Sequence, residues 1–256
     1  MSSRTEEVCR FLEWDSRFFG INIGRVNGSR LARDQSEGLL EWCQAQKIDC
    51  LYLLAEAGDP ETAQLVAEQG FELVDIRLTF ERDSLGAAGS RLTSLPAGVR
   101  RFQSSDLPAL REMAGRLHED TRFFFDQRFP RERSAELYRV WLERSCENAQ
   151  QQVFVAESEG APEGYVASAN GADGVGQIEL IGVEFSAQGR GVGRALIMAA
   201  LDAFASQGIA RTRVVTQGRN VRAQRLYQRC GFVTESLQLW YHLWFNRGSE
   251  PRRASR

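Results

Sequence analysis

The sequence predicts an α/β chain built on a mixed sheet, and three observations carry that reading. Short runs of β-branched and aromatic residues alternate with stretches of helical apolar spacing along most of the 256 residues. One apolar run, Ile178 to Val183, feeds a loop with glycines at 189, 191 and 193, and Ala195 to Ala205 then reads as helix. The composition, 43% hydrophobic and 26% charged, is that of a globular chain long enough for one large or two modest domains.

Taken in order, Phe11, Trp14, Phe18, Phe19, Ile21, Ile23 and Val26 predict two short strands joined through Asp15-Ser16-Arg17, with Gly20 and Gly24 at bulge or turn positions. Gln35 to Gln46, with Leu39, Leu40 and Trp42 at helical spacing, predicts a helix. Cys50 to Ala55 is a buried strand, Pro60 to Gln69 a helix opened by proline, and Phe71 to Phe80 a strand. Asp83 to Gly98 is rich in Gly, Ala and Ser, which marks a linker and places a domain boundary near residue 90. Val99 to Phe102 opens the second domain as a strand. Ser105 is expected to cap a helix that carries Leu107, Leu110, Met113, Ala114 and Leu117 on one face.

Glu132 to Asn148 is a further helix, and the loop before it holds Phe123, Phe124, Phe125 and Phe129. Three consecutive phenylalanines cannot all point inward from one element, so at least one faces a pocket or another domain. Val153 to Glu157 and Glu163 to Ala169 flank a turn and predict a hairpin. Gln177 to Glu184 is the next strand, followed by a helix to Gln207, a strand at Arg211 to Gln217, a helix at Val221 to Arg229 and a closing strand at Leu237 to Phe245. Asn246 to Arg256 reads as a disordered basic tail. The domains expected are 1–90, 97–245 and the tail 246–256.

Charge and composition narrow the function. The net charge is −2, with 32 basic residues scattered among 34 acidic ones, so nucleic acid is not an expected partner. All but one of the basic residues are arginine, Lys47 being the exception. Five cysteines, Cys9, Cys43, Cys50, Cys146 and Cys230, are far apart and read as reduced thiols of a cytoplasmic protein. His118 and His242 have no cysteines at motif spacing, so no metal is expected. No apolar run approaches the roughly 20 residues of a membrane span, and no membrane partner is expected.

The glycine loop carries the chemistry. Glycines at alternate positions let several N–H groups converge on one anion at the positive end of a helix, which suits a phosphate or pyrophosphate. A strand-to-helix turn without a ligand is the alternative. A P-loop needs Gly-Lys-Ser/Thr where Gly193-Arg194-Ala195 stands, and a dinucleotide fingerprint wants an acid about 20 residues on, where Arg211 and Arg213 stand.

Gln188-x-x-Gly191-x-Gly193 resembles the acetyl-CoA signature of the GCN5-related N-acetyltransferase (GNAT) superfamily, and Asn220-x-x-Ala223-x-x-Leu226-Tyr227-x-x-x-Gly231-Phe232 resembles its downstream motif. The resemblance covers residues 97–245. It implies a GNAT fold, acetyl-CoA as donor, and a primary amine as acceptor. It implies that the strand through Ile181 and Val183 pairs its backbone with the pantetheine arm. It also implies that Gln188, Gly189, Arg190, Gly191, Val192, Gly193 and Arg194 hold the pyrophosphate, with Asn220 hydrogen-bonding the cofactor. Family members often have proline where Phe185 stands here. The resemblance places Tyr227 beside the thioester sulfur, as the acid that protonates the departing thiolate; packing of helix on sheet is the alternative for Tyr227, and an ordinary helix N-cap for Asn220. By strand alternation Glu179 shares a face with Ile181 and Val183, near the amine, which makes it the candidate general base, with a solvated carboxylate as the alternative.

The layout Ala67 to Leu78 echoes Gln228 to Leu239, a helix ending at Gly-Phe before an extended segment. The first 90 residues are therefore expected to be a smaller, degenerate GNAT-like α/β domain without a cofactor loop. Trp14 to Asn22, Ser134 to Asn148 and Thr216-Gln217-x-x-Asn220 resemble a narrower group, the nucleotide-sugar amine acetyltransferases of surface-polysaccharide synthesis represented by TDP-4-amino-4,6-dideoxygalactose (TDP-fucosamine) N-acetyltransferase. That resemblance implies a TDP-linked amino-deoxysugar as acceptor, with Phe123, Phe124 and Phe125 as substrate-binding residues. Another small amine, a protein N-terminus, and a non-catalytic acetyl-CoA-binding module are the rival readings. A second copy of the chain, in a homodimer, is the one protein partner considered.

Overall fold

The computed structural model describes residues 8–83 and 95–245. The linker, the boundary expected near residue 90 and the basic tail fall largely or wholly outside them. The chain divides into two compact units, one comprising the residues up to Ile76 together with those from Gln238 onward, the other running from Arg77 to Leu237.

In the first unit β1 (Cys9–Phe11), β2 (Ile23–Val26), β3 (Cys50–Glu56) and the second half of β10 (Val233–Trp244) lie side by side in that order. β2 and β3 are parallel, and β10 runs antiparallel to β3 with Trp240 opposite Leu54. The closing strand, expected in the second domain, thus completes the sheet of the first. The physical reason is β3: it is buried from Cys50 through Ala55, so its backbone groups need a neighbouring strand on each edge. Helices α2 (Arg33–Ala45) and α3 (Pro60–Glu68) supply Leu39, Trp42, Leu65 and Val66 to a core shared with Leu51, Leu53 and Phe71.

Residues 13–19, expected as the end of one strand and a turn, form helix α1 (Glu13–Phe19). Trp14 and Phe18 stack at 5.0 Å as an i,i+4 pair, and the Gly20 N–H donates to the Ser16 carbonyl to end the helix. Aromatics at 11, 14 and 18 fit helical spacing as well as a loose alternation, and only the stacking separates the two.

In the second unit the order is the part of β4 (Glu72–Asp83) from Arg77 on, β9 (Arg211–Gln217), β8 (Gly176–Val183), β7 (Ala161–Asn170), β6 (Gln151–Ser158) and β5 (Val99–Arg101). β8 and β9 are parallel; the other neighbours are antiparallel. Helices α4 (Leu107–Leu117) and α6 (Arg131–Glu147) pack together on β6 to β8. Helices α7 (Val192–Ser206) and α8 (Val221–Arg229) cover a core of Phe80, Phe154, Val166, Leu196, Phe204 and Val214.

Ser105 does not cap α4. It lies inside a 3-10 turn, Ser104–Asp106, and the cap position belongs to Asp106, whose carboxylate accepts the Gln103 N–H at 2.8 Å and pairs with the Arg100 guanidinium at 2.7 and 2.8 Å. A buried carboxylate with an arginine on it is the stronger acceptor, and Arg100 holds it below the usual aspartate range. The two Gly-Phe joins are alike in detail: Gly70 and Gly231 have φ of +77° and +83°, and the N–H groups of Phe71 and Phe232 donate five residues back, to Val66 and Tyr227.

Candidate active site

The site begins where two strands part. β8 and β9 pair from Gly176 opposite Thr212 to Ile178 opposite Val214, and no described residue of β9 continues the pairing along Glu179 to Val183. At that point β8 bulges: Ser168 of β7 faces Ile178 and Ala167 faces Leu180, so Glu179 is the extra residue. The Glu184 N–H donates to the Glu163 carbonyl of the β7 side, and strand alternation therefore turns the backbone groups of Ile181 and Val183 toward the gap left by β9. The expected strand edge for an amide-bearing arm is present, with one difference. The Val183 carbonyl already accepts the Gln188 side-chain amide at 3.0 Å.

The bulge corrects the placement of Glu179. Ile181 and Val183 pack on the α7 core together with Ile178, so the alternation slips by one residue between them. Glu179 does not share their face. Its carboxylate accepts from Gln151 Nε2 at 3.0 Å and from the indole of Trp141 on α6, and burial raises its pKa above the usual glutamate value against those bonds. Gly182, on that same opposite side, is pressed by the Tyr165 ring and by Leu117 of α4.

Beyond β8 the chain makes a 3-10 turn, Phe185–Ala187, and enters the glycine loop. Gly189 and Gly191 have φ of +80° and +90°, and a Cβ on either would meet nothing within 4 Å, so open space lies where side chains would project. Gly191 is the N-cap of the 15-residue α7, and the first intrahelical donor is the Ala195 N–H, bonded to the Gly191 carbonyl. The N–H groups of Val192, Gly193 and Arg194 precede it and point out of the positive end of the helix. Gly193 also has a packing role. A Cβ there would stand 3.0 Å from Leu226 of α8, so this glycine lets the two helices close together. Gln188 Oε1 receives Arg222 at 2.9 Å, and Arg190 pairs with Glu163 at 2.8 Å.

On α8, Asn220 Oδ1 accepts the Ala223 N–H at 3.0 Å and caps the helix. Tyr227 is 3% exposed, its ring beside Phe80 and Phe232 at 5.9 and 6.0 Å, and burial pushes its phenol above the ordinary tyrosine value. The phenol is therefore protonated at neutral pH and able to donate. Tyr227 belongs to the α7–α8 side and Glu179 to the α4–α6 side, so the two sequence candidates lie on opposite faces of the sheet.

The phenylalanine segment is one helical turn, α5 (Arg122–Phe125). Phe123 is buried edge-on against Phe129 at 5.3 Å, Phe124 lies under Arg131, and Phe125 is 55% exposed. Phe123 thus belongs to the core, and Phe125 is the ring that faces outward. Sequence reasoning missed Arg219, whose guanidinium carbon sits 4.2 Å over the Phe125 ring. The available signal was the stretch 218–229, which has four arginines and no acid. His118 bonds through Nε2 to the Tyr165 hydroxyl at 2.7 Å and stacks on Tyr138; burial lowers its pKa to about 4, so it is a neutral structural imidazole.

The profile described as "Acetyltransferase (GNAT) family" matches residues 115–232, which run from the end of α4 through α8 and include both ends of the strand gap. The chain contains a GNAT acetyltransferase domain. Over 240 residues it is 27% identical to the dTDP-fucosamine acetyltransferase of Escherichia coli O6:H1, a match covering 90% of this chain and 96% of that one. A 66-residue stretch is 41% identical to the mycothiol acetyltransferase of Beutenbergia cavernae; it covers 26% of this chain and only 22% of that relative. Among solved structures, a GCN5-related N-acetyltransferase from Sphaerobacter thermophilus superposes with a TM-score of 0.64 over 95% of this chain and 78% of that one, at 15% identity, which shows a shared fold. GNAT enzymes use acetyl-CoA, and the residues here fit it: a strand edge without a partner for the amide arm, and an open, left-handed glycine loop under a helix start for the pyrophosphate. Among the described residues no group of three or more His, Cys, Asp or Glu is placed to hold a metal, and no helix is long and apolar enough to cross a membrane.

Proposed function

We propose that this GNAT enzyme transfers the acetyl group of acetyl-CoA to the amino group of a nucleotide-linked, TDP-type amino-deoxysugar used in surface-polysaccharide synthesis. The observation that carries the acceptor is the end-to-end likeness to the dTDP-fucosamine acetyltransferase, which extends through both compact units and not through the cofactor motifs alone. The first unit is then a degenerate GNAT-like domain; the matching Gly-Phe joins support that kinship.

Acetyl-CoA supplies an activated thioester, and the chain supplies position and protons. Ile181 and Val183 pair with the pantetheine arm through their backbone, and the Val183 N–H is aimed to polarise the thioester carbonyl. Gln188 to Arg194 hold the pyrophosphate, and Asn220 acts by fixing the start of α8. Glu179 takes the surplus proton of the amine, directly or through water, as the C–N bond forms. Tyr227 gives its phenolic proton to the sulfur as the C–S bond breaks. Attack from the α4–α6 face and departure toward the α7–α8 face match the opposed placement of the two groups. The five free cysteines support a cytoplasmic setting.

The local 41% likeness to a mycothiol acetyltransferase favours a second reading, an acceptor amine without a nucleotide. Thermal unfolding with CoA saturating separates the two. A nucleotide at 100 times its Kd stabilises by about 2.7 kcal/mol. Stabilisation by TDP supports the nucleotide-sugar reading; an unchanged melting temperature with both TDP and UDP refutes it.

A further inference from the structure

We propose that Gln151 is the positioning residue for Glu179, its carboxamide holding the carboxylate with a neutral donor that leaves it able to take a proton. The inference rests on the reading of Glu179 as the base.

Gln151 opens β6, and its backbone is tied on both sides: its N–H donates to the Asn148 carbonyl at 2.9 Å, and Ala169 of β7 stands opposite it. The side chain therefore reaches from a fixed point to the bulge in β8, where Nε2 donates to Glu179 Oε2 at 3.0 Å. Oε1 of the same carboxamide is shut from solvent and meets no donor among the described residues. A buried acceptor without a donor costs free energy. Turning the carboxamide over would set Oε1 against the carboxylate, oxygen against oxygen. The fold thus keeps the orphaned carbonyl and aims the amide protons at Glu179.

The choice of donor matters chemically. The basic residues of this chain are nearly all arginine, and other carboxylates of the same unit take one: Asp106 pairs with Arg100, Asp126 with Arg128, Glu163 with Arg190 and Glu184 with Arg116. A guanidinium stabilises the charged carboxylate and so weakens it as a base, as Arg100 does to Asp106. Among the described residues Glu179 pairs with no arginine; its donors are Gln151 from β6 and the indole of Trp141 from α6. The charges of α4 and α6 pair among themselves, Arg111 with Glu136 and Glu143, and Arg139 with Glu132 and Glu136. His118, just after α4, and Tyr165, on β7, are buried and uncharged at neutral pH. Burial keeps Glu179 basic, and Gln151 fixes where it points.

The test replaces Gln151 by methionine, which keeps the length of the side chain and removes both the donor and the orphaned carbonyl. With glutamate isotope-labelled at the side-chain carboxyl, the Glu179 signal is the one missing from Glu179→Gln, and its pH titration is followed by NMR on the full chain with CoA saturating. The midpoint is expected to rise in Gln151→Met, because the charged form loses a donor. kcat/KM for acetyl-CoA and TDP-4-amino-4,6-dideoxygalactose is then expected to fall about tenfold on the acid side of the midpoint and less on the alkaline side. Melting is expected at or above the wild-type temperature, since the orphaned carbonyl goes too; a merely structural glutamine would lower melting and leave the midpoint where it is. A Glu179 midpoint that is unchanged or lower in Gln151→Met overturns the assignment and leaves Glu179 as the base. If Glu179→Gln acetylates as fast as wild type at every pH, the base reading fails, and the assignment with it.

Discussion

Replacing Gly191 by alanine tests the anion cradle with a magnitude that follows from the backbone. Gly191 sits at φ +90°, ψ −3°, and a Cβ there would touch nothing within 4 Å, so the penalty is one of conformation and not of space. A left-handed L-residue costs about 1–2 kcal/mol. If the free loop keeps its shape, that cost appears as lost stability, a fall of about 2–8 °C in melting temperature for a chain of this size. If the free loop relaxes to negative φ, the same cost moves to the bound state and weakens acetyl-CoA by a factor of roughly 5–30. The two readouts share one total. Differential scanning calorimetry and acetyl-CoA titration on the same preparation measure both. Gly191→Asn should lose less, because asparagine tolerates left-handed φ. Gly193→Ala, whose added methyl meets a movable Leu226 side chain from a helical backbone, should change melting by no more than about 1 kcal/mol equivalent. An alanine at 191 that leaves both melting and affinity at wild-type values refutes the reasoning.

Two further outcomes concern the proton-handling groups. Tyr227→Phe keeps the ring between Phe80 and Phe232 and removes only the donor, so kcat should fall by about 10²–10⁴ with melting nearly unchanged; full turnover would remove Tyr227 as the acid. Glu179 has its pKa raised by burial, so the base form, and kcat/KM with it, should grow as pH climbs through a value above the usual 4.5, and Glu179→Gln should lose that limb. The sign for stability is opposite: the folded state favours the protonated carboxyl, its contribution is complete below about 4.5 and declines as pH rises through the folded value, so the glutamine variant should melt no lower than wild type at pH 7. A Glu179→Gln enzyme with an unaltered pH profile would leave Glu179 a structural bulge residue.

Much of the second unit was legible because its signals are local. The strand Arg211 to Gln217 and the helix Val221 to Arg229 match the sequence limits, since periodicity and caps are written within a few residues. The glycine loop was legible for the same reason: positive φ at 189 and 191 is a property of single residues. Glu179 was not, because alternation along β8 holds only while every residue pairs one-to-one, and the bulge depends on β7 and on the departure of β9. Nor was the partition of the three phenylalanines, which one turn of helix sends in different directions.

The sequence by itself determined the donor side: a strand, a left-handed glycine loop, a helix start and a downstream tyrosine, each encoded by neighbours along the chain. Only the tertiary structure decided which face Glu179 occupies, that Gly193 spaces two helices, that β10 closes the first unit's sheet, and that Arg219 meets Phe125. Those pairings join residues 33 to 194 positions apart or turn on strand register, and no local pattern of side chains specifies a contact made by folding distant segments onto one another.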